Sequence, residues 1–89
     1  MADYTHAFIN KTGQTVTIEQ LRDIINGDED ARRDVAVKGF LVVCDLDRVV
    51  WDRHGRPSRN GGGWSYGHIQ NGWICAGAGG VNSLRVLEL

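Results

Sequence analysis

Acidic residues are missing from one long stretch of this chain. Between Arg53 and Leu87 there is no Asp or Glu, although Arg53, Arg56, Arg59 and Arg85 all fall within it. A paired-carboxylate acid/base site cannot be assembled from that segment alone. Long apolar runs are lacking too: none approaches the roughly 20 residues that a membrane-spanning helix needs. Met1-Ala2-Asp3-Tyr4-Thr5-His6 shows no basic-then-apolar export pattern, so the expected location is the cytoplasm, or the host's cytoplasm if the source is viral. Cysteines number only two, and Cys44 and Cys75 each sit in an apolar run, where reduced core thiols are found. His6, Cys44, His54, His68 and Cys75 are scattered without a Cys-x-x-Cys or His-x-x-x-His pair, which argues against zinc. Asp45, Asp47 and Asp52 lack the Gly and terminal Glu of a calcium loop. Gly61-Gly62-Gly63 has no Gly-Lys-Ser/Thr ending, and Gly77-Ala78-Gly79-Gly80 has neither the spacing nor the following helix of a dinucleotide turn. No metal and no cofactor are expected.

What is present describes an ordinary globular domain, with 42% hydrophobic and 24% charged residues in 89. One core and one domain, residues 1–89, are expected at this length. Chains this small often gain stability by self-association, so a homo-oligomer is expected.

Tyr4 to Lys11 partly alternates and ends at Lys11-Thr12-Gly13, which predicts a strand and a turn. Thr17 and Gln20 have the spacing of a capping box, with Val16 and Leu21 as its hydrophobic staple. Ile18, Leu21, Ile24 and Ile25 fall on one helical face, and Asn26-Gly27 offers a left-handed stop. A helix over about 18–26 follows. Asp28 to Asp34 reads as a solvated charged loop. Val35 to Cys44 reads as a buried central strand, Asp45-Leu46-Asp47 as a turn, and Arg48 to Asp52 as the returning partner of a hairpin.

Residues 53–63 have no periodicity, contain the single proline and predict a mobile loop. Asn71-Gly72 then predicts a two-residue hairpin turn, with Gln70 facing Trp73, Ile69 facing Ile74 and His68 facing Cys75. That register gives Ile69, Ile74 and Ala76 to one face and Tyr66, His68, Gln70, Trp73 and Cys75 to the other. Val81 to Leu89 reads as a last strand. The fold class is α+β: a small antiparallel sheet of four to five strands with one helix packed on it.

Charge is divided unequally along the chain. Residues 1–52 hold ten carboxylates and six bases, a balance of −4, whereas residues 53–87 carry four arginines and no acid, a balance of +4. Nine of the twelve glycines, with Trp64, Tyr66 and Trp73, share that basic segment. Guanidinium groups fork onto phosphate or carboxylate oxygens, glycines let backbone N–H groups approach an anion, and aromatic faces stack on a base. The candidate ligand-binding residues are therefore Arg53, Arg56, Arg59, Gly61, Gly62, Gly63, Trp64, Tyr66 and Trp73. The competing account is a flexible connector with solvated arginines and tryptophans that only fill the core.

Three functions fit these features. One is a non-enzymatic binder of an anionic ligand, a nucleotide or single-stranded nucleic acid, or of an acidic surface, using residues 53–80. Duplex DNA fits poorly, because no basic recognition helix is present. Another is an inhibitor or adaptor of the kind phages and mobile elements carry, docking on a protein partner through Arg59, Trp64, Tyr66 and Trp73. The third is a small thiol-dependent enzyme in which His68 activates Cys75.

Overall fold

The computed structural model describes residues 4–37, 39–77 and 84–89. Strand β1 (His6–Ile9) turns at Lys11-Thr12-Gly13, where Gly13 takes φ +69° and donates its N–H to the Ile9 carbonyl at 2.7 Å. The chain then returns as β2 (Gln14–Thr17), a strand that one apolar residue in four does not advertise. Val16 is its buried residue, and the adjacent threonine is β-branched and suits extended backbone.

Thr17 ends β2 and caps helix α1 (Ile18–Gly27). Its hydroxyl accepts the Gln20 N–H at 3.1 Å, and the Gln20 side chain accepts the Thr17 N–H at 3.0 Å, completing the expected capping box. Ile18, Leu21 and Ile25 are buried, but Ile24 is 37% exposed. The left-handed stop expected at Asn26-Gly27 is not used. Asp28 instead adopts extended backbone (φ −144°, ψ 112°), terminates α1 and caps a second helix, α2 (Glu29–Val35), by accepting the N–H groups of Asp30 and Ala31. The charged stretch expected to be a loop is therefore helical. Its first turn is acidic and its last turn carries Arg32 and Arg33, an arrangement that matches the helix dipole.

Val35 closes α2 and points into the core, so the strand expected from Val35 is confined to β3 (Leu41–Cys44). Gly39, at φ +86°, turns the chain between them; Lys38 lies outside the described residues. The expected hairpin partner, Arg48 to Asp52, does not pair with β3. Both edges of β3 are occupied by β1 and by β4 (Trp64–Gln70), each antiparallel. Strands β5 (Trp73–Ala76) and β6 (Leu84–Glu88) complete a six-stranded antiparallel sheet in the order β2-β1-β3-β4-β5-β6. The β4–β5 hairpin has the expected register, with Asn71 at φ 53° and Gly72 at φ 81° supplying the two positive dihedrals its turn requires. The start of the last strand, Val81 to Ser83, and most of the Gly77 to Gly80 link lie outside the described residues.

The architecture is thus α+β, with six strands and two helices rather than four to five strands and one helix. Both helices lie on one face of the sheet. Ala7, Val43, Leu41, Ile74 and Ala76 form the floor there, and Leu21, Ile25 and Val35 press onto them. Burying one such side chain contributes about 1.5–3 kcal/mol, which makes this face the main source of stability.

Candidate functional site

Strand alternation sends Phe8, Val42, Cys44, Tyr66, His68, Gln70, Trp73 and Cys75 to the face opposite the helices. Residues 45–63 fold back across part of it. Residues 53–63 form the expected loop, with no helix or strand, and backbone hydrogen bonds tie the crossing together. Asp45 donates its N–H to the Gly63 carbonyl at 2.7 Å and accepts from the N–H groups of Arg48 and Val49, which ties the two ends of the crossing together. Ser58 donates to Val50 at 2.7 Å, and Trp51 and Pro57 form an isolated antiparallel bridge. The segment expected to pair with β3 therefore pairs within the crossing. Trp51 lies over Phe8 with ring centroids 6.4 Å apart, and the Trp64 Nε1–H donates to the Ser58 carbonyl at 2.9 Å.

Asp52 organises the tip. One carboxylate oxygen accepts the N–H groups of His54 (2.8 Å) and Arg56 (3.0 Å), and the Asp52 N–H donates to the Arg56 carbonyl at 2.7 Å. The Arg56 hydrogen bond, helped by that of His54 and by the nearby positive charges, holds the Asp52 carboxyl below its ordinary 3.8.

Between crossing and sheet lies a groove of about 710 Å³. Val42 and Tyr66, opposed on neighbouring strands, line its floor. Arg56, Pro57, Ser58 and Arg59 line the crossing side, with Asp52 beside Arg56. Asn10 and Gly39 also line it, and the Asn10 amide donates to the Gly39 carbonyl. Trp64 meets Tyr66 edge-on, with centroids 5.3 Å apart and planes at 85°, and Tyr66 is 39% exposed. Neither Arg56 nor Arg59 forms a salt bridge with an acid among the described residues. Two guanidinium charges against the single Asp52 carboxylate leave the groove with one net positive charge.

Four of the candidate residues thus come together: Arg56, Arg59, Trp64 and Tyr66. Arg53 does not join them; its Nε donates to the His54 ring at 3.3 Å in exposed surroundings. Gly61, Gly62 and Gly63 do not line the groove either. A side chain at Gly61 would stand 2.7 Å from the Val50 Cβ, and one at Gly63 (φ +81°) would stand 2.7 Å from the backbone of Arg48 and Val49. These two glycines let the strands of the crossing pack together. Trp73 lies on the same face farther along, beneath the Arg85 guanidinium, whose carbon is 5.3 Å from the ring centroid. Neither Trp64 nor Trp73 belongs to the buried core. Asn10, Val42, Asp52 and Ser58 are groove residues that sequence reasoning passed over. Val42 could have been found from its alternation with Val43. Asp52 could have been found as an aspartate followed by Gly55, a turn signal.

His68 and Cys75 are register partners, as expected. The Cys75 thiol nevertheless is buried and turns to the Trp73 carbonyl at 3.9 Å, while His68 Nε2 pairs with Gln70 Oε1 at 3.2 Å. No hydrogen bond joins them among the described residues. Cys44 is wholly buried, and its thiol is pushed up to about 11, first by burial and then by the adjacent Asp45 charge. Among the described residues no group of three or more His, Cys, Asp or Glu could hold a metal, and no helix is long and apolar enough to cross a membrane.

No protein-family model, no curated protein and no solved structure matches this chain.

Proposed function

We propose that this protein is a small non-enzymatic binder that takes an anionic ligand with an aromatic ring, of nucleotide chemistry, in the groove between the crossing and the sheet. The observation that carries this reading is that Arg56 and Arg59, free of salt bridges among the described residues, line the same groove as the Trp64–Tyr66 pair. Guanidinium forks engage phosphate oxygens, and the half-open Tyr66 ring offers a surface for a base. Asp52 tempers the positive charge but already accepts two backbone N–H groups.

Thermal denaturation with nucleoside phosphates tests the reading. A ligand at 100 times its Kd stabilises the fold by about 2.7 kcal/mol, and the double variant Arg56→Ala/Arg59→Ala should lose that gain while melting normally without ligand. If no nucleoside phosphate raises the wild-type melting temperature, the proposal is wrong.

A second reading is supported by the same crossing, where Leu46, Val50 and Trp51 are exposed at 43%, 53% and 38%. Apolar side chains gathered on one segment suit docking on a protein partner, as an inhibitor or adaptor would. Under that reading Leu46→Ser/Val50→Ser abolishes partner association. An unchanged association constant, measured by calorimetry with a purified partner, would exclude these residues.

A further inference from the structure

The groove does not end the basic and aromatic surface. Along β4 the residues Trp64, Tyr66, His68 and Gln70 alternate onto the groove face, each half-buried or exposed. They span roughly 20 Å at about 3.4 Å per residue. Beside them on β5, Trp73 stands opposite Gln70, and on β6, Arg85 stands opposite Cys75. Arg85 is exposed and its guanidinium carbon lies over the Trp73 ring, a cation–π contact. No salt bridge engages it among the described residues.

Two separated guanidinium sites on one aromatic ladder are more than one nucleotide can use. A stacked strand advances about 3.4 Å per nucleotide, so roughly 20 Å of β4 accommodates three or more. We propose that the groove's ligand is a single-stranded nucleic acid laid along β4, with one phosphate at Arg56 and Arg59 and a later one at Arg85, a proposal that rests on the groove reading above. His68 and Gln70 offer hydrogen bonds to base edges between the two ends. Glu88, opposite Trp73, marks the end of the path, because a phosphate is repelled there. A duplex does not fit: its bases are stacked inward, where Trp64, Tyr66 and Trp73 cannot stack on them, and the fold offers this face no basic helix for a major groove.

The test is a fluorescence titration of the full chain at low salt with thymidine monophosphate, with single-stranded oligothymidylates of about four to eight nucleotides, and with a duplex of the same length. The oligomer should bind at least about tenfold more tightly than the monophosphate, the gain expected from one further stacked base. Arg85→Gln should reduce that gain, leave monophosphate binding unchanged, and lower the slope of log K against log salt by about 0.7. Equal affinity for monophosphate and oligomer overturns the extended path while leaving the groove reading standing. So does an Arg85→Gln variant that binds the oligomer normally, or a duplex bound as tightly as the single strand. Failure of both monophosphate and oligomer to bind removes the groove reading as well. If Arg85→Gln does not fold by circular dichroism, His68→Ala takes its place with the same expected reduction of the oligomer gain.

Discussion

The two faces of this sheet are covered in different ways. On one, two capped helices press Leu21, Ile25 and Val35 onto a continuous apolar floor. On the other, a crossing with no regular secondary structure is held by backbone hydrogen bonds, an aspartate turn and close-packed glycines, and it buries Phe8, Val42 and Cys44 while leaving Trp51 and Tyr66 partly open. Apolar packing is non-directional and sums to a large total, whereas hydrogen bonds at a surface contribute little net energy but fix geometry. The helical face therefore sets global stability, and the crossing sets the shape of the groove.

The comparison breaks most visibly at Leu21, which is fully buried on the helical face. Leu21→Ala should cost about 2–5 kcal/mol by urea denaturation, through lost transfer energy and a cavity. A cost below about 1 kcal/mol would show that the helices are not the main source of stability. Next in size is Gly63→Ala. Its new Cβ meets backbone at 2.7 Å from a positive φ, and neither partner can move without opening the crossing. About 1–3 kcal/mol is expected, together with altered Trp64 fluorescence as the bond to Ser58 is lost. Gly62→Ala, with open space around its Cβ and no positive φ, should be neutral in both measurements. If the two variants behave alike, close approach is not what holds the crossing.

What could be read from the chain follows the strength of local signals. At α1 and the β4–β5 turn, local chemistry and tertiary packing agree: Thr17 and Gln20 cap α1 as their spacing demands, and Asn71-Gly72 sets the β4–β5 register. Where local and tertiary signals diverge, the reading fails. Asp28 to Asp34 looks like a solvated loop because its apolar content is low, yet Asp28 caps both the end of one helix and the start of the next, and Val35 anchors the second. Arg48 to Asp52 looks like a hairpin strand because Val49, Val50 and Trp51 suit extended backbone, but β3 already has partners on both edges. Four of the groove's eleven lining residues were legible: Arg56, Arg59, Trp64 and Tyr66 cluster in sequence and line one groove. Alternation with Val43 marks the face of Val42, but which strands lie beside it, and that Asn10 joins it, follow from sheet pairing, which spacing does not encode.

The finest contrast concerns two aspartates that each accept two backbone N–H groups: Asp28 caps a helix, whereas Asp52 fastens the tip of the crossing. The Asp52 pKa in the folded chain lies below the ordinary 3.8, chiefly through the Arg56 N–H. A carboxyl with a depressed folded pKa contributes order that is complete above its unfolded value and is lost as pH falls through the folded one. Tryptophan emission from Trp51 and Trp64 should therefore stay constant from neutral pH to about 4 and change only in more acidic solution. Other carboxylates titrate over the same range, so Asp52→Asn supplies the control: its amide oxygen still accepts the two N–H groups but carries no charge to lose. The acid change in emission should shrink or vanish in that variant, with global unfolding by circular dichroism unmoved. An identical acid transition in the two proteins would mean that the Asp52 charge does not hold the tip, and that the shape of the groove depends on the other ties, Asp45 to Gly63, Ser58 to Val50 and Trp64 to Ser58.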